Sequence, residues 1–168
     1  MVDMTPTTTP ELSSAELGVW RGFLRVHAAL AKQLDAELER AHGIPLSSYE
    51  VLINLQHAPN HKLRMADLAD RALLSRSGMT RLVDRLERQG LLARDTCVSD
   101  ARGCFAVLTD AGDELLQKAR ATHLEGVRRR FLVHLADGDF QRLTDLWEHL
   151  LPGSTEAGGG GASACAKT

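Results

Sequence analysis

Residues 68–92 read LADRALLSRSGMTRLVDRLERQGLL, and this stretch decides the fold of the chain. It predicts a brief helix over about 66–72, a tight turn, and a second helix that begins after a cap at Ser75. Apolar residues recur in the second helix at spacings of three and four, before Gly90 ends it. The predicted buried face consists of Met79, Leu82, Val83 and Leu86. Two short helices joined by a tight turn predict a helix-turn-helix.

The residues around this stretch predict a small β-structure. Residues 91–96 and 104–108 can pair as strands, joined by a turn that contains Ser99, Asp100, Ala101, Arg102 and Gly103. The sequence also allows a short strand at 63–65. A helix-turn-helix that is followed by a β-hairpin has the element order of a winged helix. We therefore predict a mainly α fold with a small β-hairpin.

Two helices are predicted before the winged helix. Ser13 and Glu16 form a capping box, after which an apolar stripe continues for about seven turns, to about residue 42. A second capping box, Ser47 with Glu50, is expected to open a shorter helix.

Two more helices are predicted after the winged helix. Thr109 caps a long helix whose apolar stripe reaches Leu135, and a final helix begins at about Asp137. The apolar stripes at both ends of the chain are larger than a middle module of about forty-five residues can cover. A second copy of the chain can cover them, so we expect a homodimer.

The length of 168 residues, 43% of them apolar, suits one domain with extensions. We expect this domain at 12–151, with a winged-helix lobe at about 47–108 and dimerisation helices at 12–42 and 109–151. Residues 1–11 are rich in Thr and Pro, and residues 152–168 contain four consecutive Gly. Neither end has the apolar side chains that offset the entropy of ordering, so both are expected to be disordered.

The composition also bears on location. No run of eighteen apolar residues is present, and the first residues lack the basic patch and apolar stretch of a secretory signal. Three Cys, at 97, 104 and 165, make no disulfide framework. We therefore expect a cytoplasmic protein that does not associate with membranes.

The charge is unevenly distributed, although the formal net charge of the chain is only -2. Residues 61–105 have a net charge of +3, between flanks of -3 at 1–60 and -2 at 106–168. Six Arg lie within 71–94, against Asp84 and Glu87. A basic segment between acidic flanks is the distribution that a phosphate-binding module needs, although a solvated helix face gives the same count.

The outward face of the second helix supplies the candidate DNA contacts. Hydroxyls and guanidiniums can bind phosphates, and Arg can also bind guanine with two hydrogen bonds. The residues concerned are Ser75, Arg76, Ser77, Thr80, Arg81 and Arg85. Arg102, near the hairpin tip, is either a minor-groove contact or an ordinary surface residue. Asp100 is expected to pair with Arg85 and so to fix the angle of the wing.

From Leu12 to Leu151 the element order, the stretch 68–92 and the wing SDARGCFAVLTDAG (99–112) resemble the MarR family of bacterial transcriptional regulators. The run Thr-Arg-Leu-Val-Asp-Arg-Leu with the Asp-x-Arg-Gly wing is more specific than a bare helix-turn-helix. The resemblance implies a homodimer that binds palindromic operators, mostly as a repressor. It implies that residues 75–81 read the major groove, that Arg102 enters the minor groove, and that the first, fifth and sixth helices form the dimer interface.

The family often releases DNA when it binds a phenolic or aromatic acid, or when a cysteine is oxidised. Trp20, Arg21, His27 and Tyr49 lie on segments that could line a pocket for an aromatic acid, with Arg21 for its carboxylate. The alternative is that Trp20 and His27 are dimer core and that Arg21 is solvated.

Cysteine oxidation and other chemistries have weaker support in the sequence. The oxidation-sensing branch of the family has its Cys in the first helices, where this chain has none, so only Cys97 and Cys104 beside the wing could act in redox sensing. Only His57 and His61 are four residues apart, and Pro59 interrupts a helix between them, so we expect no metal or cofactor.

Two other classes of protein are less consistent with the sequence. No nucleophile with a neighbouring base and no Gly-rich phosphate loop point to an enzyme. A winged helix that docks on proteins without binding DNA would favour aromatic anchors, and residues 71–94 contain none. The favoured reading is a sequence-specific DNA-binding regulator.

Overall fold

The computed structural model describes residues 11–72, 75–96 and 104–155. The order of elements is α1 (Ser14–His42), α2 (Leu46–His57), β1 (Lys62–Arg64), α3 (Met65–Arg71), α4 (Arg76–Arg88), β2 (Leu92–Thr96), β3 (Cys104–Leu108), α5 (Asp110–Arg130) and α6 (Asp137–Leu150). Short 3-10 turns at Pro59–His61 and Leu132–His134 precede β1 and α6. This order confirms the predicted mainly α winged-helix fold.

The start of α1 is the capping box that the sequence predicts. The backbone N–H of Ser13 donates to the Glu16 carboxylate at 2.7 Å, and the Glu16 N–H donates to Ser13 Oγ at 3.3 Å. These two bonds satisfy N–H groups that have no partner inside the helix.

The start of α2 differs from the prediction. The expected capping box of Ser47 and Glu50 is wrong, because the helix begins at Leu46, after Pro45, and no side chain of its own caps it. Asp35 of α1 takes that role, since its Oδ1 accepts the Leu46 N–H at 2.8 Å. A carboxylate eleven residues earlier therefore caps α2, a partner that local sequence rules do not reveal.

The three strands form one antiparallel sheet in the order β1-β3-β2. β3 is central, and its buried Ala106 lies opposite Leu63 of β1 and Arg94 of β2. The hairpin of β2 and β3 is the predicted one, and β1 adds a third strand to it. The strand β1 directly precedes α3, so the sheet is attached to the helix-turn-helix at this edge.

The core lies between α2, the helix-turn-helix, the sheet and the first half of α5. Its fully buried residues include Leu52, Leu55, Leu68, Leu86, Leu92 and Leu116. The four predicted residues of α4, Met79, Leu82, Val83 and Leu86, are all buried. The helix α4 thus packs on the core with its apolar face, and its opposite face is exposed to solvent.

The long helices α1 and α5 pack together over their C-terminal halves. Gly126 of α5 allows a close approach, because a Cβ there would lie 2.7 Å from Leu34 of α1. Glu37 of α1 accepts hydrogen bonds from Arg129 at 2.6 Å and from Arg130 at 2.5 Å. The helix α5 ends at Arg130, so the expected continuation of its apolar stripe to Leu135 is wrong. Among the described residues, no helix combines the length and the apolar character needed to cross a membrane.

Candidate nucleic-acid interface

The solvent face of α4 is polar and cationic. Arg76, Ser77, Thr80 and Arg81 are exposed on it, opposite the buried apolar face. Ser75 caps the helix by accepting the Gly78 N–H at 3.1 Å. The helix dipole adds partial positive charge at this same end. The first turn of α4 thus combines hydroxyls, guanidiniums and a helix N-terminus in one exposed patch.

Two of these cations have no partner in the part of the chain that the structure describes. Among the described residues, the guanidinium groups of Arg76 and Arg81 have no hydrogen-bond or ion-pair partner. Thr80 Oγ1 donates to the Arg76 carbonyl at 3.0 Å, which leaves its lone pairs free to accept. Both Arg side chains can therefore reach an external anion without breaking an internal bond.

Arg85 is placed differently from the rest of this face. One of its guanidinium nitrogens donates to Oγ of Ser48, a fully buried residue in the first turn of α2, at 3.0 Å. This contact ties α4 to α2, and the sequence reasoning did not foresee it because Ser48 is distant in the chain. The expected partner of Arg85, Asp100, lies outside the described residues, as do Arg102 and Cys97.

The structure shows a cluster on α4 that the sequence reasoning missed. Arg94 of β2 donates to Asp84 at 2.5 Å and to Glu87 at 2.7 Å, and its backbone N–H donates to Glu87 at 3.1 Å. The hydrogen bond that Arg94 donates to Asp84 is the main cause that raises the pKa of the Arg94 guanidinium. Asp84 and Glu87 are three residues apart on one helix face, and the strand that follows contains a single cation. This pattern is the sequence signal that could have indicated the cluster.

The neighbouring strand β1 holds a second ion pair at the base of the wing. Lys62 Nζ lies 2.5 Å from Oδ2 of Asp95 in β2, and 4.6 Å from the ring centre of Phe105 in β3. The guanidinium of Arg64 lies 5.0 Å from the same ring. A cation of β1 therefore connects both other strands across the sheet.

The chain is similar to proteins of one known family. A family model described as the MarR family matches residues 42–103. The crystal structure of Sco3205, a MarR family transcriptional regulator from Streptomyces coelicolor in complex with DNA, is 32% identical, with a TM-score of 0.81 over 90% of this chain and 94% of that chain. The uncharacterised HTH-type transcriptional regulator YkoM of Bacillus subtilis is 30% identical over 115 residues, 68% of this chain and 73% of YkoM. The homoprotocatechuate degradative operon repressor of Escherichia coli is 28% identical over 112 residues, 67% of this chain and 74% of the repressor.

The chain belongs to the MarR family. MarR-family proteins are transcriptional regulators that bind DNA, and they are not enzymes. The helix α4 is the second helix of a helix-turn-helix, and its exposed face is cationic. Both features agree with membership of a family of DNA-binding regulators. Among the described residues of this MarR-family chain, no cluster of His, Cys, Asp or Glu could hold a metal ion.

The structure separates the four residues that the sequence suggested as a ligand pocket. Trp20 and His27 lie in one row on α1, each stacked on Phe23 at 6.1 and 6.3 Å between ring centres, and Phe23 also contacts Trp147 of α6 at 5.9 Å. Arg21 is exposed on the same helix.

Tyr49 lies elsewhere, between α2 and α5. It is buried against His123 of α5, with 4.5 Å between the ring centres. Desolvation by burial raises the pKa of Tyr49 and lowers that of His123, whose buried Nδ1 has no hydrogen-bond partner among the described residues. Three of the suggested residues are therefore exposed on α1, and the fourth, Tyr49, is buried between α2 and α5.

Two other features of the molecule are a groove between α1 and α5 and the thiol of Cys104. An open groove of about 410 Å³ lies between α1 and α5, lined by Glu37, Arg40, Ala41, Thr122, Glu125 and Arg129, none of which was suggested for ligand binding. Cys104, at the start of β3, is a half-buried free thiol. Its suggested redox partner is the undescribed Cys97.

Proposed function

We propose that this MarR-family chain is a homodimeric repressor that binds a palindromic operator with the exposed face of α4. The observation that carries the proposal is the pair of unengaged guanidiniums, Arg76 and Arg81, on the solvent face of a helix whose other face is buried. Ser75, Ser77 and Thr80 add hydroxyl contacts at the same helix end. A helix enters the major groove by this end, so these residues reach base edges and phosphates first.

Three further residues have less direct roles in this proposal. Arg85 is proposed to contact the phosphate backbone with the part of its guanidinium that Ser48 does not bind. Arg102 is proposed to enter the minor groove, and Asp100 to position the wing. Support for the last two comes from their place in the Asp-x-Arg-Gly motif.

The proposed dimer rests on apolar surface that one chain leaves exposed. Trp20 is 53% exposed and Leu24 is 45% exposed on α1, and α6 exposes Phe140, Leu146 and Leu150. Such a surface on two adjacent helices is larger than scattered surface apolar residues explain, and a second copy can bury it. Two copies would place two α4 helices in successive major grooves, about 34 Å apart.

Repression is supported by the name of one relative, and release by a small aromatic acid is proposed from side chains of α1. The homoprotocatechuate degradative operon repressor, 28% identical to this chain, is by its name the repressor of a degradative operon. Phe23 and His27 offer ring surfaces, and Arg21 on the same helix offers a cation, of the kind that such an acid needs. Thermal-shift assays with benzoate-type acids test this part, and a lack of stabilisation by any of them would argue against it.

To test the DNA-binding proposal, genomic fragments that the native chain binds are first recovered. The affinities of variants for these sites are then measured. Arg81→Ala is expected to weaken binding by about 1–3 kcal/mol and to relax the base preference at one position if Arg81 reads a base. Arg81→Lys keeps the charge but loses the two-pronged hydrogen bond, so it separates base reading from phosphate contact. Lys118→Ala, which removes an exposed cation from α5, is the control. Equal binding by native and Arg81→Ala protein would contradict the proposed face.

A further inference from the structure

The helix that faces DNA in the proposed function carries two negative charges. Between Arg76 and Arg88, α4 has four Arg and two acidic residues, Asp84 and Glu87. Carboxylates on a DNA-binding helix repel phosphates unless a cation neutralises them. The sequence alone leaves open which of the nearby cations does so.

One residue outside the helix pairs with both carboxylates and offsets one of their two negative charges. The two guanidinium nitrogens Nη2 and Nη1 of Arg94 bind Asp84 and Glu87 at 2.5 and 2.7 Å, one carboxylate each. The Arg94 backbone N–H holds the second oxygen of Glu87 at 3.1 Å. Strand β2 is therefore joined to α4 by three hydrogen bonds from a single residue.

The position of Arg94 in the sheet gives these bonds a geometric consequence. Arg94 and Asp95 are consecutive in β2, so their side chains point to opposite faces of the sheet. Arg94 binds α4 on one face, and Asp95 binds Lys62 of β1 on the other. The strand that opens the wing is thus fixed to the recognition helix and to the rest of the sheet at adjacent residues.

The stability that these pairs contribute is modest. The side chains of Arg94, Asp84 and Glu87 keep 26%, 46% and 37% of their exposure, and ion pairs that water reaches contribute little to folding. The more consequential effect is on the field at the helix surface. With both carboxylates paired to Arg94, the four Arg of α4 make the electrostatic potential at the helix surface positive.

We propose that Arg94 is a positioning residue for DNA binding, which pairs with Asp84 and Glu87 and so offsets one of their two negative charges where α4 faces the phosphates. The proposal rests on the proposed DNA-binding face of α4. It assigns Arg94 a role without direct contact to DNA.

The test compares Arg94→Gln with a neutral triple variant, Arg94→Gln/Asp84→Asn/Glu87→Gln, on a site that the native chain binds. Arg94→Gln is expected to weaken binding about tenfold at low salt, because two carboxylates then repel the phosphates, and less at high salt, where repulsion is screened. The triple variant is expected to recover most of the affinity, because it removes the repelling charges. Circular dichroism and thermal unfolding check that both variants are folded.

A merely structural role for Arg94 predicts different results. It would lower the affinity of both variants equally, and the loss would not depend on salt. That outcome would overturn the proposal, as would native affinity in Arg94→Gln. If Arg94→Gln does not fold, Arg94→Lys, which keeps the charge but cannot fork between two carboxylates, is expected to keep most of the affinity, and a tenfold loss in it would overturn the proposal. Failure of the native chain to bind any duplex would instead overturn the proposed function.

Discussion

At the scale of single residues, Gly112 shows how little space the connection between wing and α5 leaves. A Cβ at this position would lie 2.0 Å from the Leu91 carbonyl oxygen, which belongs to the backbone and cannot rotate away. Thr109 Oγ1 donates to the Gly90 carbonyl at 2.7 Å and accepts the Gly112 N–H at 3.1 Å. The turn after α4 and the start of α5 are therefore packed directly on each other.

Gly112→Ala is expected to destabilise the fold by about 1–3 kcal/mol, the usual range for overpacking, as measured by urea unfolding. Gly138→Ala is the matched control, because a Cβ at Gly138, in the first turn of α6, would meet nothing within 4 Å. Equal stability of the native and Gly112→Ala proteins would show that the turn and α5 are not in this contact.

His123 is expected to make stability depend on pH. Burial lowers its pKa in the folded state below the unfolded value of 6.5. The unfolded chain therefore binds the proton first as pH falls, and the free energy of unfolding decreases from about pH 6.5 downwards. Above that window both states are neutral at this residue, and it contributes no pH dependence.

Chemical unfolding between pH 5 and 7.5 measures this effect. His123→Gln is expected to flatten the decrease in stability toward acid, and His57→Gln, which removes an exposed His from α2, is the control. An identical slope in native and His123→Gln protein would contradict the assignment.

At the scale of elements, α2 depends on a cap that another helix supplies. Asp35→Ala removes the only described side-chain acceptor for the Leu46 N–H and is expected to cost about 0.5–2 kcal/mol of stability, as N-cap losses do. Glu39→Ala removes an exposed carboxylate from the same helix α1 and serves as the control. Urea midpoints that fall equally in both variants would rule out a specific cap.

The elements that the sequence predicted well are those with strong local signals. Ser13 with Glu16, Ser75, and the apolar spacing from Met79 to Leu86 all lie within a few residues of what they determine. The start of α2 was mispredicted because its cap, Asp35, belongs to another helix. The C-terminal limit of α5 was mispredicted because apolar spacing continues past Arg130 although the helix does not.

The candidate site divides in the same way. The helical period alone predicts that the side chains of Arg76 and Arg81 are exposed. Arg85 and Arg94 have partners that the local pattern does not give, since Ser48 is 37 residues away and Asp84 is on a different element. Sequence reasoning thus found which residues face solvent, and the structure was needed to show which of them are already bound.

At the scale of the whole molecule, the exposed apolar surface of α1 and α6 predicts self-association. Leu24→Glu places a charge in the middle of this surface and is expected to shift the chain toward monomer, because burying an unpaired carboxylate is unfavourable. Sedimentation equilibrium measures the dissociation constant. Gln89→Glu adds the same charge at the end of α4 and is the control. A native chain that sediments as a monomer at all concentrations would contradict the proposed dimer.

The central claim is that the cationic face of α4, presented twice by a dimer, binds one duplex sequence in preference to others. The most direct measurement is the affinity of the native chain for its recovered site and for a scrambled duplex of equal length, as a function of salt. Preference for the recovered site, with log affinity falling steeply and linearly as log salt rises, is the predicted result. Equal affinity for both duplexes, or affinity that does not change with salt, would contradict the account.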